Sequence, residues 1–154
     1  MDFAAPPDET GQVKTTASFR LIGSSGLTAK AVTEGLSLAP SRSYEAGDAV
    51  APGSSKVRKS SIWVLKSSER IEDGVELATQ LERLLTVLEP RAALIQRFVD
   101  GGYKANWLCY VKSHPVEHSV ELNRDLLARL TALPGDLWLD VGGTESKTEG
   151  VPED

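Results

Sequence analysis

"SFRLIGSSGLTAKAVTEGLSLAP", residues 18–40, decides how this chain is built, because it passes from a strand pattern to a helix pattern across one short turn. Ala17, Phe19 and Leu21 alternate with Ser18, Arg20 and Ile22, the two-residue period of a strand with one buried face. Gly23-Ser24-Ser25-Gly26 breaks that period. Thr28 then offers a hydroxyl to cap a helix, with Leu27 and Val32 at the spacing of a hydrophobic staple. The helix is expected over about Ala29–Glu34, with Gly35 ending it in the left-handed conformation. A glycine turn before a helix N-terminus is also the setting in which backbone amides cradle phosphate. This one lacks the third glycine of the dinucleotide fingerprint and the Lys-Ser/Thr ending of a P-loop. It therefore reads first as a bend, with an anion site at Gly23, Ser24, Ser25 and Gly26 as the alternative.

Downstream, residues 41–61 are rich in Ser, Gly and Pro and carry Lys56, Arg58 and Lys59, the composition of a long surface excursion with a short edge strand near Tyr44. Ile62-Trp63-Val64-Leu65 is a second core strand. Asp73 and Glu76 stand at capping-box spacing. Leu77, Leu81, Leu84, Leu85 and Leu88 follow at helical intervals until Pro90 interrupts. Leu94, Ile95, Phe98 and Val99 mark another helix, closed by Gly101-Gly102. Ala105, Trp107, Cys109 and Val111 alternate as a third strand. Asn123 caps a last helix with Leu126, Leu127, Leu130 and Leu133 as its stripe, and Leu137–Val141 is a final strand.

The expected fold class is α+β: a four- to five-stranded mixed sheet with helices packed on one face. Split strand-helix-strand units at the two ends could each make a right-handed crossover, in a ferredoxin-like arrangement with helices replacing the central hairpin. At 154 residues, 40% hydrophobic and 25% charged, the chain fits one core. Residues 15–142 are expected to form that domain, with 1–14 and 143–154 as flexible tails. The net charge of −5 resides at the ends: residues 1–13 and 143–154 contribute −3 each, leaving the body at +1. Binders of nucleic acid concentrate far more positive charge, so none is expected as partner. No stretch has the length or apolarity to span a bilayer, and residues 1–13 lack a signal-peptide pattern. With one cysteine, Cys109, intrachain disulfides and cysteine-based metal clusters are ruled out, and a cytoplasmic location is expected.

"FRLIGSSGLTAKAVTEGLSLAPSRSYEAGD", Trp63 in "SSIWVLKSS", "LERLLTVLEPRAALIQRFVDGG" and "DLLARLTALPGDLWLDVGG" follow one another in an order that resembles the bacterial domain of unknown function 4279 family. The likeness spans residues 17–142, with Gly23, Pro40, Gly47, Trp63 and Asp140 at its marked positions. It implies a compact bacterial domain and brings no reaction, cofactor or ligand. The last strand departs from the pattern, ending "DVGG" without the aromatic the family places there.

His114-Pro115-Val116-Glu117-His118 matches the inverted zinc-protease motif. That motif works on a helix, where the two imidazoles share a face; Pro115 and a strand-to-helix connection oppose this, so a zinc hydrolase using His114, Glu117 and His118 is the remote reading. Trp63, Trp107 and Trp138 fall in three strands, where large rings usually fill the core. Trp138 shares a strand face with Asp140. Exposed, the two would form a recognition patch; buried, Asp140 would accept backbone or indole N–H bonds. Cys109, among apolar neighbours and without an adjacent base, reads as an inert buried thiol. No convergent catalytic set emerges and no cofactor is expected. The leading expectation is a non-enzymatic protein-interaction or accessory, immunity-type domain. The alternative is a small-ligand, nucleotide or anion module using the Gly23–Gly26 turn and the basic loop.

Overall fold

The computed structural model describes residues 13–113 and 118–142. The expected tails and the His114–Glu117 part of the zinc motif lie largely outside the described residues.

The first strand, β1 (Lys14–Gly23), is central, and its inward residues Thr15, Ala17, Phe19 and Leu21 are all buried. The Leu27 N–H donates to the Ser24 carbonyl at 2.9 Å, and Gly26 has φ +86°, which closes a tight turn. Gly23 is required for a different reason. A Cβ there would lie 2.5 Å from the Leu27 carbonyl oxygen and 2.9 Å from the Tyr103 ring, whose hydroxyl donates to the Thr28 carbonyl at 2.7 Å.

Helix α1 (Ala29–Leu36) starts as its cap predicts, the Thr28 hydroxyl accepting from the Ala31 N–H at 3.1 Å. It runs past Gly35, and Ser37 takes the left-handed conformation instead, with φ 51°. Gly35 serves close approach: a Cβ on it would come within 2.5 Å of the Phe98 ring.

Strand β2 (Arg42–Tyr44) and strand β3 (Ser61–Lys66) form an antiparallel pair. Strand β4 (Glu72–Asp73) pairs with the start of β1. Asp73 is therefore not a helix cap. Its carboxylate meets Lys14 at 3.3 Å, and helix α2 (Leu77–Leu88) begins after Glu76, whose side chain makes no capping bond. The leucine stripe holds throughout, with Leu77, Leu81, Leu84, Leu85 and Leu88 buried together with Gln80. Pro90 sits in a 3-10 turn, Glu89–Arg91, that leads into helix α3 (Ala92–Asp100). Of the apolar face expected there, only Ile95 is fully buried and Leu94 is exposed, because α3 packs beside α1 at the margin of the core.

Strand β5 (Lys104–Lys112) buries Trp107, Cys109 and Val111 as the alternation requires. Helix α4 (Arg124–Thr131) starts from Asn123, whose side-chain oxygen accepts from the Leu126 N–H at 2.9 Å. Leu126, Leu130 and Leu133 are buried, whereas Leu127 faces solvent. Arg129 ties α4 to the end of α2, donating to both carboxylate oxygens of Glu89 at 2.9 and 2.8 Å and to Glu82 at 2.6 Å. These bonds hold the Glu89 carboxyl below its ordinary pKa against a smaller opposing effect of burial. Strand β6 (Asp136–Gly142) closes the sheet.

The fold is α+β, with a six-stranded mixed sheet in the order β2-β3-β1-β5-β6 and β4 beside β1 on the same flank as β3. The sheet exceeds the expected four or five strands because β2 and β4 are only three and two residues long, too short to show a period. β5-α4-β6 is one parallel strand-helix-strand unit. The other is β1-α1-β2: β3 runs antiparallel to both β1 and β2, so those two strands are parallel with β3 between them, a split unit whose second strand is the short edge strand β2 rather than β3. The main helix contacts fall on β1, β3 and β5, so the covering layer stops short of β6.

Candidate functional site

The residues singled out in the sequence lie apart: the 23–26 turn follows central β1, the basic loop joins β2 to β3 at one edge, and Trp138 and Asp140 lie on β6 at the other. Ser24, Ser25 and Gly26 are exposed at the head of α1. The amides of the first turn of α1, which an anion at this helix start would use, already have partners. The Glu45 carboxylate accepts from the Ala29 N–H through one oxygen and from the Lys30 N–H through the other, both at 2.9 Å, and the Ser61 hydroxyl donates to it at 2.9 Å. With Thr28 holding Ala31, the positive end of α1 faces a carboxylate of the chain itself. Glu45 was invisible as a capping residue from sequence, since it follows the helix start by sixteen residues.

The basic loop closes on itself. Gly47 N–H donates to the Arg58 carbonyl at 2.9 Å, Arg58 N–H to the Asp48 carbonyl at 2.8 Å, and Val50 N–H to the Lys56 carbonyl at 2.9 Å. The Arg58 guanidinium lies 3.7 Å from the centre of the Tyr44 ring, committed to a cation-π contact. Lys56 and Lys59 remain exposed.

His118 accompanies Glu76, with Nε2 3.0 Å from Oε1. Among the described residues no group of three or more His, Cys, Asp or Glu could hold a metal. A shallow dip of about 290 Å³, lined by Gly35, Leu94, Arg97 and Phe98, offers one charged side chain and no base or nucleophile. Among the described helices none is long and apolar enough to cross a membrane. Cys109 is fully buried, and burial pushes its thiol up to about 12. The folded protein should therefore give no reaction with a thiol reagent at pH 8, and one equivalent after denaturation. Because the folded value lies above the ordinary thiol value of about 8.5, this contribution to stability is intact below that pH and is lost as pH rises from it toward 12. Rapid labelling of the native protein would contradict the burial.

The other edge is β6, some three strand spacings, about 14 Å, from β3. Trp138 is not in the core with Trp63 and Trp107; it is 55% exposed. Asp140 follows it on the same face and is exposed, and among the described residues no hydrogen bond or ion pair engages its carboxylate. The opposite face carries Leu137, Leu139 and Val141 at 39%, 44% and 71% exposure. Register explains the division. Leu137, Leu139 and Val141 stand beside Trp107, Cys109 and Val111 on the helix side, while Trp138 and Asp140 stand beside Leu108 and Tyr110 on the open side. Among the described residues β6 pairs only with β5, so its outer backbone groups meet no other described strand. Trp138 and Asp140 were legible as a pair from strand alternation.

The family model for a domain of unknown function, DUF4279, matches residues 12–143, and the chain belongs to that family. No curated protein and no solved structure matches it.

Proposed function

We propose that this DUF4279-family chain is a non-enzymatic protein-recognition domain that works through the outer edge of β6. The observation that carries the reading is a seven-residue strand with apolar side chains exposed on both faces and one unpaired backbone edge. Natural sheets blunt such edges with Lys, Pro, bulges or very short strands. β2, the opposite edge, is three residues long and carries Arg42. β6 has no Lys, Pro or bulge and is seven residues long; its charges, Asp136 and Asp140, both stand on the open face, and its register with β5 is uninterrupted from Asp136 to Gly142. An edge of this kind accepts a strand from a partner, whose backbone supplies affinity while alternate side chains supply specificity. Trp138 beside Asp140 is the aromatic and acidic pair that would select the partner on the open face, and Leu137, Leu139 and Val141 would pack laterally against the added strand's apolar side chains on the other.

A photo-crosslinking amino acid placed at Trp138 in cells tests this. Covalent adducts with protein are expected there, and are not expected from the same group at Glu34, an exposed position on α1. Adducts absent at 138, or identical at both positions, would overturn the reading.

A further inference from the structure

Resting on that reading, we infer that the strand received by β6 is β6 of a second copy of this chain, paired antiparallel about a two-fold axis at Leu139. The argument is one of register. A two-fold axis perpendicular to the sheet keeps the helix side of both copies on one side. Directly opposed residues must then share a face, and the axis must pass beside a residue rather than between two. Registers that pair five or more of the seven residues are centred on Trp138, Leu139 or Asp140.

Centring on Trp138 sets Asp136 against the partner's Asp140, twice. Centring on Asp140 sets that carboxylate against its own copy. Like charges directly opposed on a sheet destabilise the pairing. Centring on Leu139 avoids both conflicts and pairs all seven residues. Leu139 meets Leu139, and Leu137 meets the partner's Val141 on each side of the axis, so the exposed apolar row is flanked by an identical row along the same face. On the open face Trp138 opposes the partner's Asp140, an indole N–H donor against a carboxylate acceptor. Asp136 opposes Gly142, where no charge conflicts. The composition of β6 is thus self-complementary in one register and penalised in the other two.

The test uses the full chain and single cysteine substitutions, since the native thiol is buried. The wild-type protein should show twice the 16.6 kDa chain mass by light scattering at micromolar concentration. Under mild oxidation Leu139→Cys should form a covalent dimer, while Trp138→Cys and Asp140→Cys should each stay largely monomeric alone and crosslink when mixed. Leu139→Lys, which opposes two ammonium groups at the axis, should raise the dimer dissociation constant about tenfold or more. A single-chain mass at 100 µM, or crosslinking of Asp140→Cys alone in preference to Leu139→Cys, would overturn the inference. Failure here leaves the recognition reading separable: adducts at position 138 carrying a different protein would retain it, and no adducts would remove both.

Discussion

Trp63→Ala should cost about 3–5 kcal/mol, the range for deleting a large buried aromatic and leaving its cavity. That is a large share of the roughly 5–15 kcal/mol that holds an ordinary domain together. Trp63 is fully buried on β3, under the layer to which α1 belongs, and its indole N–H donates to the Thr33 hydroxyl at 3.1 Å. The ring therefore both fills the core and fastens α1 to the sheet. Trp107, equally buried one strand beyond β1, packs edge-on to Phe19 with ring centres 4.9 Å apart, but its indole nitrogen has no hydrogen-bond partner among the described residues. The milder substitution separates the two roles. Trp63→Phe should lose the bond to Thr33 as well as volume, whereas Trp107→Phe removes a donor that was already unpaired. Urea unfolding should rank Trp63→Phe below Trp107→Phe by about 1 kcal/mol. Equal losses, or the reverse order, would show that the Thr33 bond does not matter to the packing of α1.

The parts of this fold that could be read from sequence are those whose cause is local. The alternation of β1, the leucine stripe of α2, the cap at Thr28 and the break at Pro90 all depend on residues within one or two turns of each other. The misreadings have distant causes. Gly35 looked like a helix end because its true constraint, the Phe98 ring, arrives from another helix. Asp73 looked like a cap because Lys14, its partner, lies on the first strand. β6 is the instructive case for function. "DLWLDV" has apolar residues on both faces, a pattern shared by a strand buried between layers and by an edge strand left exposed. Which one it is depends on how far the helical layer extends. Helix α4 spans only eight residues and is drawn onto α2 by Arg129, so it leaves β6 uncovered. The pairing of Trp138 with Asp140 on one face followed from strand geometry alone; their exposure did not.

Gln80 is a polar residue in the middle of that leucine stripe, and replacing it should have the second large effect. It is fully buried beneath α2, and its side-chain amide donates to the Thr15 carbonyl at 3.0 Å, to the Thr15 hydroxyl at 3.1 Å and to a Glu72 oxygen at 3.0 Å. Thr15 in turn donates to the Val75 carbonyl, and Glu72, held below its ordinary pKa first by Arg83, closes the cluster. One amide thus joins α2, β1 and β4. Gln80→Ala loses the buried stem and the donated bonds together, for an expected cost of about 3 kcal/mol. Gln80→Glu is the sharper experiment, because it keeps the shape and replaces the donating nitrogen with an oxygen facing three acceptors. Burial and the Glu72 carboxylate would raise the folded-state pKa of the new acid above its unfolded value of about 4.3, against the weaker opposing pull of Arg83, whose guanidinium donates to the Gln80 Oε1 at a long 3.4 Å. Its neutral form can still donate one bond, so the variant's deficit should be small below that pH and grow as pH rises through the raised value. Urea midpoints of variant and wild type, compared at pH 4 and at pH 8, read this directly. A deficit independent of pH would mean that Gln80 contributes volume and that its bonds to Thr15 and Glu72 contribute little.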